Sequence, residues 1–199
     1  MKILSEVCPS EVNIHIEICK SDSGVTGQKL RLAHYELGKI MGRQITQDFK
    51  QTNPAEFTTL CLMRSGLCFG LGIVDELDCT LLLLDEKNDT LWSSPDSIYF
   101  NKYIEYNLPY IKNKYVILVD AVLNTGQSLF SVLNKIEYFC TQAIISVNVV
   151  QEKMVKVLEG KNAYAIRTSR NQFVGSKTLY QKDGKGPDTG DRLFKMIIA

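Results

Sequence analysis

The sequence predicts an α/β fold in which a mainly parallel central sheet is flanked by helices, built as a single domain over residues 1–199. Short apolar runs of buried-strand type alternate with stretches whose apolar residues recur at helical spacing. Strands joined by helical crossovers pair in parallel, and such sheets gather ligands at the carboxyl ends of their strands. Two turns rich in reactive side chains, at Arg64 and at Asp120, follow such runs. A chain of 199 residues, 45% of them hydrophobic, is long enough for one substantial core.

The elements follow in order. Ser21-Asp22-Ser23 offers N-cap side chains, and Leu30, Ala33, Leu37, Ile40 and Met41 then recur with helical period, which predicts a helix of about five turns. Residues 58–63 read as a short buried strand; Arg64-Ser65-Gly66 breaks it before Leu67, Leu71 and Val74 resume a helical period. Residues 80–84 form a second buried strand, and residues 115–119 a third that is expected to stop at Asp120. Beyond Gly126, the residues Leu129, Val132, Leu133, Ile136 and Phe139 line one helix face. A strand over 143–150, a short helix over 152–159 and a strand over 163–166 complete the alternation.

Two segments interrupt it. Residues 85–109 carry a polar turn, then Trp92, Pro95 and the aromatic run Tyr99, Phe100, Tyr103 and Tyr106, and are expected to protrude as a β-arm. Its aromatics suit either a subunit contact or a hairpin folded over its own core. Residues 175–192, with four glycines, a proline and alternating lysines and aspartates, are expected to form a long loop, tethered by the apolar residues Leu193, Phe194, Met196, Ile197 and Ile198. A tethered glycine-rich loop is a candidate lid, or hood.

Composition removes several function classes. Lys and Arg number 23 and Asp and Glu 22, so no global charge favours nucleic acid or an anionic membrane. No apolar run reaches the length of a membrane span, and residues 1–11 lack the apolar core of a secretion signal, so the expected location is the cytoplasm. The six cysteines form no C-x-x-C pair and only His15 and His34 accompany them, which is not a zinc pattern. Lying mostly in apolar stretches, they read as reduced core thiols.

The segment 120–128 can do specific chemistry. An acid at a strand end is followed by a Thr-Gly turn that opens a helix. The amides of the first helical turn, with the hydroxyls of Thr125 and Ser128, make a nest for a phosphate dianion, and Gly126 permits close backbone approach. Asp120 would then lie a sugar's width away, able to accept hydrogen bonds from vicinal hydroxyls. An isolated Thr-Gly pair is more often a plain helix cap; strand, acid and turn together point to a phosphate site.

The run Val119-Asp120-Ala121-Val122-Leu123-Asn124-Thr125-Gly126-Gln127-Ser128 resembles the phosphoribosyl pyrophosphate signature of type I phosphoribosyltransferases, and in particular their uracil phosphoribosyltransferase branch. Leu62-Met63-Arg64-Ser65-Gly66-Leu67 is similar to that family's turn bearing a pyrophosphate-binding arginine, and Asp188-Thr189-Gly190-Asp191-Arg192-Leu193-Phe194 to its carboxyl-terminal Asp-Ala-Gly-Asp-Arg-Leu-Phe. The resemblance implies the type I phosphoribosyltransferase fold, with its β-arm over 85–109 and its hood over 175–192. It implies transfer of a phosphoribosyl group to uracil or a related base, giving a nucleoside monophosphate and pyrophosphate, with Mg²⁺ bridging pyrophosphate and ribose hydroxyls. It also implies a homodimer joined through the arm.

By the same resemblance, Asp120 and Arg64 are the catalytic residues. Ala121, Val122, Leu123, Asn124, Thr125, Gly126, Gln127 and Ser128 hold ribose 5-phosphate, Ser65 and Gly66 support the pyrophosphate turn, and Gly186, Pro187, Asp188 and Thr189 face the base and sugar. Asp191 and Arg192 are expected to pair with each other. Leu84 stands where the family has a second pyrophosphate-binding arginine, and Pro187 stands in a hood that grips the base through backbone donors. These departures leave a noncatalytic nucleotide or phosphoribosyl pyrophosphate sensor on the same fold as the alternative.

Overall fold

A computed structural model describes residues 1–85, 98–170 and 188–195, with the side chains of residues 98–100 excepted. Its strands are β1 (Lys2–Ile3), β2 (Phe57–Met63), β3 (Thr80–Asp85), β4 (Tyr115–Leu123), β5 (Gln142–Gln151) and β6 (Ala163–Ser169). Its helices are α1 (Leu4–Val7), α2 (Pro9–Cys19), α3 (Gln28–Asp48), α4 (Leu67–Leu77), α5 (Ile98–Ile111), α6 (Gln127–Ile136), α7 (Glu152–Val157) and α8 (Thr189–Phe194). The strands form one sheet in the order β1-β6-β5-β4-β2-β3, and every pairing is parallel.

Because both faces of a parallel sheet are covered, its inner strands are apolar almost throughout. Eight of the ten residues of β5 are buried. On one face, Val12 and Ile16 of α2, Leu30, Leu37, Met41 and Ile45 of α3, and Phe69 and Ile73 of α4 pack with Ile117, Val119 and Ile144 of the sheet. On the other, Ile104 and Ile111 of α5, Val132 and Ile136 of α6 and Met154 of α7 pack on Leu60, Leu118 and Val147. All six cysteines are free. Among the described residues no helix is long and apolar enough to cross a membrane.

Several boundaries differ from the sequence expectation. Ser21–Ser23 form a separate 3-10 turn instead of capping α3, because Gly24 and Gly27 follow with φ of +67° and +66° and interrupt helical continuation. The long helix begins only at Gln28 and runs for 21 residues. Strand β4 does not stop at Asp120: its pairing with β5 continues to Leu123↔Val150. Phe139 lies beyond α6, in a turn where its N–H donates to the Ile136 carbonyl.

The arm and hood change character where they are described. From Ile98 onward the expected β-arm is the helix α5, whose inner face sets Ile104 and Ile111 in the core while Tyr106 stays 84% exposed. Helical period wins here because residues 104, 108 and 111 can all face the sheet. Residues 86–97, which hold the rest of the arm, lie outside the described residues. In the hood, residues 189–192 are helical and not loop. Asp188 caps α8, accepting from the Asp191 N–H at 3.1 Å, and Leu193 is buried in the core, as the tether requires.

Candidate active site

The site lies where β2 and β4, adjacent strands paired up to Cys61↔Val119, release their chains at the carboxyl edge of the sheet. The Arg64-Ser65-Gly66 turn leaves β2 and folds back on β4, with the Gly66 N–H donating to the Leu62 carbonyl at 3.0 Å. A Cβ at Gly66 would stand 2.8 Å from the carbonyl oxygens of both Leu62 and Val119 and 3.2 Å from the Cα of Asp120, so only glycine permits this contact. Ser65, held there, donates its hydroxyl to Asp120 Oδ1 at 2.6 Å.

The same oxygen of Asp120 accepts from the Ala121 N–H at 2.6 Å. Burial nonetheless pushes the carboxyl up to about 6, against the opposing pull of the Ser65 hydroxyl and the backbone N–H groups of Ala121 and Val122; the charge of nearby Asp188 pushes the same way as burial. A carboxyl raised by burial at the carboxyl edge of a parallel sheet marks a candidate functional group.

Beyond Asp120 the chain forms a recess of about 160 Å³, lined by Asp120 and by residues 122–129. Gly126 carries φ of +75°, and a side chain there would collide with the Phe130 ring. It occupies the N-cap of α6 without a side chain, so the first residues of the helix, Gln127 and Ser128, open on the recess. A helix start lined by hydroxyls and closely approached by backbone suits a phosphate group. Ala121 and Leu123 are buried in the core, so their part is limited to backbone groups.

Arg64 and Asp191, each with a side chain 19% exposed, form an ion pair of 2.8 Å from Nη2 to Oδ1. This corrects the expectation that Asp191 pairs with Arg192. Arg192 instead is buried and donates to the carbonyls of Cys19, Lys20 and Val25 and to Ser23 Oγ, at 2.9–3.3 Å. It is drawn away because the loop between α2 and α3 presents several backbone oxygens that need donors.

The structure thus brings together Arg64, Ser65, Gly66, Asp120, Asn124, Thr125, Gly126, Gln127 and Ser128, with Asp188 near enough for its charge to act on Asp120. Thr189 opens α8 beside them. Gly186 and Pro187 lie outside the described residues. Leu84 is buried in the core. The residue not foreseen as a site member is Asp191; its partner Arg64 lies 127 residues away and nothing in the sequence pairs the two.

The chain is similar over its whole length to the AQ2163 protein from Aquifex aeolicus, with a TM-score of 0.70, 17% identity, and coverage of 100% of this chain and 99% of that one. Lesser likenesses are to TT1426 from Thermus thermophilus (TM-score 0.49, 14% identity, 71% and 86% covered) and to a hypoxanthine phosphoribosyltransferase from Staphylococcus aureus (TM-score 0.48, 13% identity, 70% and 75% covered). No curated protein matches the chain in sequence. The fold is that of the type I phosphoribosyltransferases. Residues 24–196 match the profile of the uracil phosphoribosyltransferases, a span that takes in the Arg64 turn, the Asp120 loop and α8, and the chain belongs to that family.

Proposed function

We propose that the protein transfers the phosphoribosyl group of phosphoribosyl pyrophosphate to N1 of uracil or a closely related pyrimidine. The bond from the anomeric carbon to pyrophosphate breaks, the bond to N1 forms, and the base gives up its N1 proton to solvent, leaving a nucleoside monophosphate and pyrophosphate. One observation carries the reading: the 2.6 Å hydrogen bond from Ser65 to Asp120, which sets the Arg64 turn beside the recess lined by Asp120 and residues 122–129.

In this reading the recess over 124–128 takes the 5-phosphate and Asp120 accepts from the ribose hydroxyls. Arg64 faces the departing pyrophosphate, whose growing charge needs cationic and N–H partners. Mg²⁺ would be held mainly by substrate oxygens and water, with the carboxylate oxygens of Asp120 and Asp188 as hard donors on the protein side, and would supply positive charge against the departing pyrophosphate. The family setting supports a cytoplasmic enzyme and a homodimer joined through residues 85–109, where Tyr106 is exposed; sedimentation would check the dimer.

The test is turnover. Protein mixed with phosphoribosyl pyrophosphate, Mg²⁺ and uracil is expected to release pyrophosphate and form uridine monophosphate. Absence of pyrophosphate release with uracil, cytosine and orotate alike, or release with xanthine or hypoxanthine only, would overturn the assignment. Burial of Leu84, where the resemblance implies an arginine, favours one second reading, a sensor that binds phosphoribosyl pyrophosphate without turnover. Saturable binding with no product would select it.

A further inference from the structure

We propose that Asp191 is a positioning residue for Arg64: it fixes the guanidinium for the pyrophosphate half of the substrate and ties that turn to the carboxyl-terminal segment. The proposal rests on the phosphoribosyltransferase reading of the site and adds to it a residue that acts through another.

The two side chains come from positions 127 residues apart and meet at 2.8 Å. Both are largely withdrawn from solvent, so the pair is screened less than a surface pair. A guanidinium is a rigid plane of N–H donors, and gripping one Nη orients the others. An arginine ordered before the ligand arrives avoids the rotamer entropy cost of ordering afterwards.

Asp191 can fix Arg64 only if it is itself fixed, and it is held on both sides. Its own N–H donates to Asp188 Oδ1 at the cap of α8. The next residue, Arg192, is buried and clamps the helix to the loop between α2 and α3 through Cys19, Lys20, Ser23 and Val25. That loop is in turn bound to α8 by the Gly27 N–H, which donates to the Arg192 carbonyl at 2.8 Å. A continuous chain of contacts therefore runs from the α2–α3 loop through Arg192 and Asp191 to Arg64.

A double-mutant cycle tests this on the full chain. Calorimetric titration with magnesium pyrophosphate and, separately, ribose 5-phosphate compares the unmodified protein with Asp191→Asn, Arg64→Gln and the double variant. Asp191→Asn is expected to weaken pyrophosphate binding about fivefold to tenfold and leave ribose 5-phosphate unchanged. The double variant should bind pyrophosphate no more weakly than Arg64→Gln alone, and Asp191→Glu should recover part of the loss. Should Asp191→Asn fail to fold by circular dichroism, Asp191→Ser carries the same comparison. Additive losses, an equal loss for ribose 5-phosphate, or unchanged pyrophosphate binding would overturn the proposal alone. Failure of the unmodified protein to bind either ligand would overturn the underlying reading and the proposal with it.

Discussion

Ser65 and Asp120, 55 residues apart, meet through a 2.6 Å hydrogen bond that couples the end of β2 to the carboxyl-terminal part of β4. The bond opposes the burial that raises Asp120, so it helps keep that carboxyl ionised near neutral pH.

Removing that hydroxyl should expose the balance. With Asp120 pushed up to about 6, activity is expected to fall as pH drops through that value, because the carboxyl then takes a proton. Ser65→Ala should move this acid limb to higher pH by roughly one unit and lower kcat/KM by about tenfold, the worth of one hydrogen bond to a charged group. A pH–rate profile of the variant checks both.

Gly66→Ala forces a methyl against two backbone carbonyls that cannot move independently. Stability should fall by about 1–3 kcal/mol, as for other overpacked sites. Separation of the Arg64 turn from Asp120 should also raise KM for phosphoribosyl pyrophosphate. Urea unfolding and steady-state kinetics measure the two effects.

Substituting Arg192 removes donors from buried carbonyls on the α2–α3 loop. Arg192→Met keeps much of the apolar stem, so the expected loss of about 2–4 kcal/mol reports the lost hydrogen bonds. Urea unfolding gives the value, and proteolysis near residue 188 should accelerate as α8 undocks.

His34 gives a pH signature unrelated to the site. It is buried beside the Asn148 amide, 3.4 Å from its Nδ1, and burial lowers it to about 3. The unfolded chain takes up this proton near pH 6.5 while the folded chain resists, so the neutral ring contributes stability above 6.5 that is lost as pH falls toward 3. Unfolding free energies from pH 7 to 3 should therefore decline more steeply in the unmodified protein than in His34→Gln, by up to about 4 kcal/mol.

The central strands were legible because apolar runs such as 115–119 and 143–150 must be buried on both faces. The amino-terminal helix α2 was not. Val12, Ile14, Ile16 and Ile18 alternate with polar residues, a strand-like pattern, yet Pro9 starts a helix that buries Val12, Ile16 and Cys19 and leaves Ile14 exposed. The aromatic segment after Ile98 likewise suits a strand by propensity and is held as a helix by its fit to the sheet. In the site, Asp120 and the 124–128 loop are contiguous in sequence and could be read there. The bonds of Ser65 to Asp120 and of Asp191 to Arg64 span 55 and 127 residues, and only the packing of β2, β4 and α8 selects those partners.

The account turns on Asp120 and the recess beside it. Calorimetric titration of phosphoribosyl pyrophosphate with Mg²⁺ into the unmodified protein and Asp120→Asn tests it most directly. Saturable binding at one site, weakened at least about tenfold by the substitution, is the predicted result. An unmodified protein that gives no binding heat, or an Asp120→Asn variant that binds as tightly, would contradict it.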